Sequence, residues 1–319
     1  MRRFRLLLLG SALALVAASY AGGGDRATET FAARPTGEAA ITTAEIVFAR
    51  GPHLYVMRSN GSRVRLLVRN AGDPAVSPDG RQIAFVRESS LWVMKRDGSS
   101  RRRLTTPPTV SQGHGQTGDY EPAWSPDGRR LYFSRFIEDW SNDSMASSLV
   151  SIRSDGTKLK RLTQVVSHES PHNRCIGDPT PSPTGQLIAY VEWGDCEHGY
   201  DPSIEAVTPA GRRTALGFTL PCAFDPAYAP DGRQLAYAAM QCEGDRLGIY
   251  TQSRGGDERR LAAGLSDSPA WSPDGTTIAF VRGWDQGDIW LVRSAGGGLR
   301  RITHTRANDQ MPAWLPPAR

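Results

Sequence analysis

The sequence holds few cysteines, few lysines and no long apolar run, and each shortage excludes something. Four cysteines in 319 residues are too few for a disulfide-packed miniprotein, and the 33 glycines show no triplet period, which rules out a collagen-like chain. Its lysines are Lys95, Lys158 and Lys160; the remaining cations are arginines, an excess that a GC-rich genome accounts for. The apolar run Leu6–Ala18 is thirteen residues long, short of the roughly 20 that a membrane span needs. No GxSxG nucleophile elbow occurs, and no α/β pattern is present to hold a hydrolase domain. Gly113, Gly115 and Gly118 are followed by no helical pattern, so they do not form a phosphate-binding loop. With 39% hydrophobic residues the chain has the apolar material to offset the entropy of ordering, which excludes disorder.

The net charge of +5 comes from 38 Lys+Arg against 33 Asp+Glu. Arg2, Arg3 and Arg5 precede the apolar run, and Ser19-Tyr20-Ala21 fits a small-x-small cleavage site, so residues 1–21 read as a secretory signal peptide. No cysteine stands near that site to take a lipid anchor. Removing the segment takes three positive charges and leaves +2, which removes the charge argument for nucleic-acid binding. Residues 22–44, rich in Gly, Ala and Thr without periodicity, read as a flexible linker.

From Glu45 the chain repeats itself. DPAVSPDGRQIAFVR (73–87) recurs as EPAWSPDGRRLYFSR (121–135), DPTPSPTGQLIAYVE (178–192), DPAYAPDGRQLAYAA (225–239) and SPAWSPDGTTIAFVR (268–282), and MPAWLPP (311–317) is a truncated sixth copy. The shared prolines, Pro74, Pro122, Pro179, Pro226, Pro269 and Pro312, are 48, 57, 47, 43 and 43 residues apart. A period of about 40–50 residues signals an array or a propeller. Each copy resolves into four strands. PAWS leads through a tight SPDG turn into the apolar run IAFVR, and a third and fourth strand flank another glycine turn, as in LWVMKRDGSSRRRLT. The first copy lacks its first strand and the C-terminal MPAWL lacks a second. Joining them predicts an all-β fold over 45–319: a six-bladed β-propeller of four-stranded antiparallel blades, its ring closed by the C-terminal strand completing the N-terminal blade.

Repeats of the PAWSPDG…IAFVR…DIWLVRSAGG…RRIT kind resemble the TolB-type WD-like β-propeller repeat, found in the translocation protein TolB, in the tricorn-protease propeller and in relatives of prolyl-oligopeptidase propellers. The resemblance covers nearly all of 45–319. It implies a six-bladed propeller in an extracytoplasmic protein, secreted, periplasmic or of the cell envelope. Residues 22–44 are too short for the folded domain that precedes the propeller in TolB.

Strand alternation puts the SPDG turns and the third-to-fourth turns on one face, here the bottom. The blade-to-blade connections and second-to-third loops lie on the opposite face, the top. Top connections are long at 106–120, 136–147, 164–178 and 193–203, where binding function concentrates. The cysteines fall on the same face. Their repeat positions predict disulfides Cys175–Cys196 and Cys222–Cys242, each joining the loop entering a blade to that blade's second-to-third loop; the cross-blade pair Cys196–Cys222 is the rival.

Positions before the repeat prolines form a ring at the channel mouth: Asp73, Glu121, Asp178, Asp225, Ser268 and Met311. Two readings stand: four carboxylates hold a cation or a basic peptide, or each accepts backbone N–H groups where its strand begins. Trp124, Tyr228, Trp271 and Trp314 share one repeat position and read as packing between blades. Trp140, Trp193, Tyr200 and Trp284 stand in top loops, where they either stack on a ligand or cover a neighbouring blade. His168–His172 matches HExxH, but Pro171 interrupts the helix a zincin needs, so a metalloprotease is not expected. His168 and His172, with His114 or His198, remain candidate metal ligands, and no cofactor is expected. The resulting expectation is a non-catalytic propeller binding a protein or peptide of the cell envelope through its top face. The alternative is a polysaccharide-binding protein, or a metal-dependent polysaccharide lyase using the top-loop histidines.

Overall fold

The computed structural model describes residues 44–110, 115–139, 144–167, 175–194, 202–218, 220, 222–239, 246–283 and 286–316. Its strands form six four-stranded antiparallel sheets, a six-bladed propeller. Blade 1 is ordered β24 (Asp309–Leu315), β1 (Glu45–Arg50), β2 (His53–Arg58), β3 (Arg65–Arg69), so the last strand of the chain pairs with the first and closes the ring. Blade 2 is β4 (Gly72–Val76), β5 (Gln82–Arg87), β6 (Ser90–Lys95) and β7 (Arg102–Arg103). Blade 3 is β8 (Gly115–Trp124), β9 (Arg130–Asp139), β10 (Ser144–Arg153) and β11 (Lys160–Ser167). Blade 4 runs β12 (Cys175–Pro181), β13 (Ile188–Trp193), β14 (Ser203–Val207), β15 (Arg213–Thr214), and blade 5 runs β16 (Ala223–Tyr228), β17 (Gln234–Ala239), β18 (Gly248–Ser253), β19 (Glu258–Ala263). Blade 6 is β20 (Ser266–Trp271), β21 (Thr277–Arg282), β22 (Asp288–Arg293) and β23 (Arg300–Arg301).

The second strands are apolar throughout because both of their faces meet a neighbouring blade. Ile46, Val47 and Phe48 of β1 are fully buried, as are Ile83, Ala84 and Phe85 of β5. The core is accordingly a set of clusters between blades. One joins Ile46, Phe48 and Trp314 of blade 1 to Ala279, Ile289 and Leu291 of blade 6. The next joins Val47 and Leu54 to Ile83 and Phe85 of blade 2.

The SPDG turns form by local hydrogen bonding. In the first, Ser77 Oγ donates to Asp79 Oδ1 at 2.6 Å, and accepts from the Gln82 N–H at 2.9 Å. Gly80 closes that turn at φ 67°, and a Cβ there would lie 2.8 Å from Cγ of Pro316. The turn of blade 2 thus packs on the truncated repeat that ends the chain, where only a glycine fits.

The shared aromatic position does join blades. Nε1 of Trp124, Trp271 and Trp314 donates to the carbonyl of Ala75, Ala227 and Ala270 in the preceding blade, at 3.1, 3.0 and 2.9 Å. Outer strands add a second set of links. Arg102 donates to the Ser154 and Asp155 carbonyls, Lys160 to Ala210, Arg259 to Ala295 and Arg300 to Ser59, each reaching the third-to-fourth turn of the next blade.

Three of the long top connections differ from expectation, and in 164–178 residues 164–167 and 175–178 belong to β11 and β12. Residues 115–120, 136–139 and 144–147 are not loop but continue the strands of blade 3, so that β8, β9 and β10 are each ten residues long. The blade 3 sheet therefore rises over the top face.

Candidate functional site

The channel mouth is a cavity of about 210 Å³ bounded by Asp73, Glu121, Asp178, Asp225, Ser268, Met311 and the prolines that follow them. All six residues lie in the left-handed region, with φ of 48°, 54°, 50°, 49°, 50° and 52° in that order. Proline pushes the residue before it toward extended conformations, and a non-glycine residue at positive φ is strained. A bulge accompanies each kink: the register shifts between Gly72 and Ala75, Tyr120 and Ala123, Gly177 and Thr180, Phe224 and Ala227, and Asp267 and Ala270. In blade 1 the shift falls between Val47 and Ala49 of β1, opposite β24.

The kink directs each side chain at the next blade. Asp73 Oδ2 accepts the Glu121 N–H at 3.1 Å, Glu121 Oε2 accepts the Asp178 N–H at 2.8 Å, and Asp225 Oδ2 accepts the Ser268 N–H at 2.8 Å. Ser134 Oγ also donates to Glu121 Oε2, at 2.8 Å. Between blades 4 and 5 the link is a hydrogen bond between the Asp178 and Asp225 carboxyls, which share a proton. Asp73, Glu121 and Asp225 thus each accept a backbone N–H, which belongs to the following blade rather than to their own strand, while Asp178 meets a carboxyl instead.

Burial sets the protonation of the ring. It pushes Glu121 up to about 7 against the opposing Asp178 N–H, with the charge of Asp73 adding to the rise. Burial raises Asp178 well above the usual carboxylate range, reinforced by Glu121 and Asp225. Asp73 and Asp225 are also raised by burial, against the hydrogen bonds they accept. Asp267, which the sequence did not single out, joins them: burial first and Asp225 second push it to about 8. It stands one residue before the marked position, where the other copies carry no acid, so the repeat gave no signal for it. Near neutral pH the mouth thus carries less negative charge than its carboxylates suggest. Among the described residues no three His, Cys, Asp or Glu side chains are arranged to hold a metal ion.

Of its two readings, Trp193 follows the second and covers a neighbouring blade. It is 3% exposed at the end of β13 and packs on Phe224 of blade 5, with ring centroids 5.7 Å apart. The strand continues through it, so its side chain enters the interblade core rather than a loop surface. Trp140, Tyr200 and Trp284 lie outside the described residues, as do His114, His168, His172 and His198. Neither Cys175 nor Cys222 is a free thiol. Cys196 and Cys242 lie outside the described residues, so the pairing stands as a proposal.

Residues 49–139 match the family described as the dipeptidyl peptidase IV (DPP IV) N-terminal region. The Tol-Pal system protein TolB of Anaeromyxobacter dehalogenans (strain 2CP-C) is 32% identical over 95 residues, 28% of this chain and 21% of its own length. The crystal structure of TolB from Acinetobacter baumannii superposes with a TM-score of 0.68, covering 87% of this chain and 68% of that one at 17% identity. The fold is a TolB-like β-propeller. Uncharacterized peptidase YuxL of Bacillus subtilis (strain 168) is 33% identical over 106 residues, 29% of this chain and 15% of its own length. The matched segment thus spans about a fifth or less of these two curated relatives. The likeness to the solved TolB structure, at 17% identity, concerns the fold.

Proposed function

We propose that this TolB-like propeller is an exported, non-catalytic binding protein whose top face takes a protein or peptide of the cell envelope. The observation that carries the reading is the asymmetry of that face. Blade 3 rises beside the mouth on ten-residue strands, whereas the second and third strands of the other blades are five or six residues long. The extended β9 carries the half-buried Phe136 and Ile137, and the cavity is lined in blades 3 and 4 by Glu121 and Asp178. Such a wall beside a shallow mouth suits a polypeptide better than a small substrate, which needs an enclosing pocket. The TolB relatives, named as Tol-Pal system proteins, support a binding role. Export rests on the signal pattern of residues 1–21, and among the described residues no helix is long and apolar enough to cross a membrane.

A photo-crosslinking amino acid at Ile137, with a control at the exposed Leu159 near the bottom turn of blade 3, tests the reading in the producing cells. The expected result is an adduct with an envelope protein from position 137 and none from 159. No adduct at 137, together with turnover of a peptide or polysaccharide by the purified protein, would replace it with an enzymatic function.

A further inference from the structure

The repeat supplies its own control for an unmatched charge on the top face. The second strand of a blade ends at the top, beside the start of the first strand. In blade 1 Arg50 donates through Nε and Nη2 to the two oxygens of Asp309 at 2.6 and 2.8 Å, and in blade 3 Arg135 grips Asp119 at the same two distances. Both carboxylates are fully buried. In blades 4 and 5 both members have changed: Glu192 faces Ile176 and Ala239 faces Ala223. Blades 2 and 6 differ, because the arginine stays and the aspartate goes. Ser266 faces Arg282, and Ala71 adjoins Gly72, the partner of Val86, which sets it against Arg87.

The loss leaves polar atoms without partners. Arg87 Nε is buried and has no hydrogen-bond partner, and the same is true of Ser266 Oγ. The Glu88 carboxylate lies 3.8 Å from Arg87 Nε, outside hydrogen-bond reach, and its side chain is 72% exposed. The Arg87 side chain is 31% exposed, against 18% for Arg50 and 14% for Arg135, so it is the least covered of the three. Each unmatched guanidinium lies over an indole, Arg87 at 5.8 Å from the Trp92 centroid and Arg282 at 5.1 Å from that of Trp290, which holds the plane in place. Arg282 is the less needy. Asp288 stands opposite it in the β21–β22 register, although that carboxylate is engaged by Arg301 at 2.5 Å and Thr303 at 3.2 Å. In blade 2 the corresponding residue is Ser90.

We propose that Arg87 is a carboxylate-binding site on the top face, with Arg282 as its weaker counterpart. A ligand carboxylate, from an acidic side chain or a peptide C-terminus, takes the place that Asp309 and Asp119 hold in blades 1 and 3. A guanidinium pre-set on an aromatic plane, with a buried N–H left unpaired, gains most from a planar bidentate anion. The proposal stands on the comparison of repeats, not on the envelope-partner reading, so either can fail alone.

The test is an NMR titration of the Arg87 Nε–H resonance in the full chain, with sodium chloride at matched ionic strength as reference. N-acetyl-glutamate amide presents only a side-chain carboxylate, and N-acetyl-alanine only a C-terminal one. A saturable downfield shift beyond that of chloride is expected with at least one, and the stronger responder names the source. Arg87→Lys keeps the charge without the fork and should weaken binding roughly ten-fold. Ala71→Asp should place the resonance at its ligand-bound position and abolish the response. Identical behaviour in chloride and in both carboxylates overturns the site, as does an Ala71→Asp protein that still titrates. The wild-type titration decides the matter even where that variant does not fold.

Discussion

An acidic residue at positive φ in front of a proline is held at a cost of about 1–3 kcal/mol, and the mouth repeats that arrangement in four blades. The compensation is the hydrogen bond to the next blade, which requires an acceptor but not a charge. This separates two roles at Glu121, where Ser134 and the Asp178 N–H need the oxygen while burial opposes the ionised form. Each raised carboxyl binds its proton more tightly in the folded than in the unfolded chain. Its stabilising contribution is therefore complete below the unfolded value near 4 and is lost as pH rises through about 7 for Glu121 and about 8 for Asp267. Stability measured by urea unfolding should fall by several kcal/mol, up to about 6, between about pH 5 and about pH 8, and Glu121→Gln should flatten part of that slope while leaving the fold intact. A profile that rises over this range would show that the ring is ionised throughout. The ring positions themselves were legible because a proline marks each. Asp267 and the Arg50–Asp309 and Arg135–Asp119 pairs were not, since their partners come together only through strand register.

At the scale of strands and turns, the joints between blades rest on two kinds of donor with different burial. Trp124 is 7% exposed and its indole N–H satisfies the Ala75 carbonyl of the previous blade. Trp124→Phe should keep most of the packing but orphan that carbonyl, costing about 1–2 kcal/mol and lowering Tm by a few degrees. The exposed Arg102 link to Ser154 and Asp155 should matter far less, with Arg102→Ala costing under about 1 kcal/mol in the same calorimetric comparison. Equal losses from the two variants would refute this division between core and rim. The packing role of the tryptophans was readable from their fixed repeat phase. Their acceptors were not, because each lies more than 40 residues away on a strand that shares no sheet with the donor. The position of Trp193 on a strand rather than in the loop 193–203 was hidden for a related reason. A tryptophan after the last residue of the repeat segment IAYVE looks like the start of a loop, whereas β13 runs one residue further and buries it.

For the whole molecule, the repeat arithmetic predicted closure by the chain ends, and β24 on β1 provides it, with Trp314 6% and Leu315 1% exposed. Ending the chain before Asp309 should expose β1 as an unpaired edge, remove the partner of Arg50 and abolish a single cooperative melt, as circular dichroism would report. A truncated protein that melts cooperatively within about 2 °C of the full chain would show that closure is dispensable. The carboxylate links have a further consequence. They run in one rotational sense, from Asp73 to Glu121, to Asp178, to Asp225, to Ser268, and stop there, because Ser268 and Met311 bring no carboxylate to the two remaining joints. The ring is thus a chain of clasps with an open buckle, and the gap falls at blades 6, 1 and 2, where the backbone seam and the unmatched Arg282 and Arg87 also lie. Those two joints rest instead on interblade packing and on the Trp314 bond to Ala270, so the wheel is pinned there by its tyre rather than its hub.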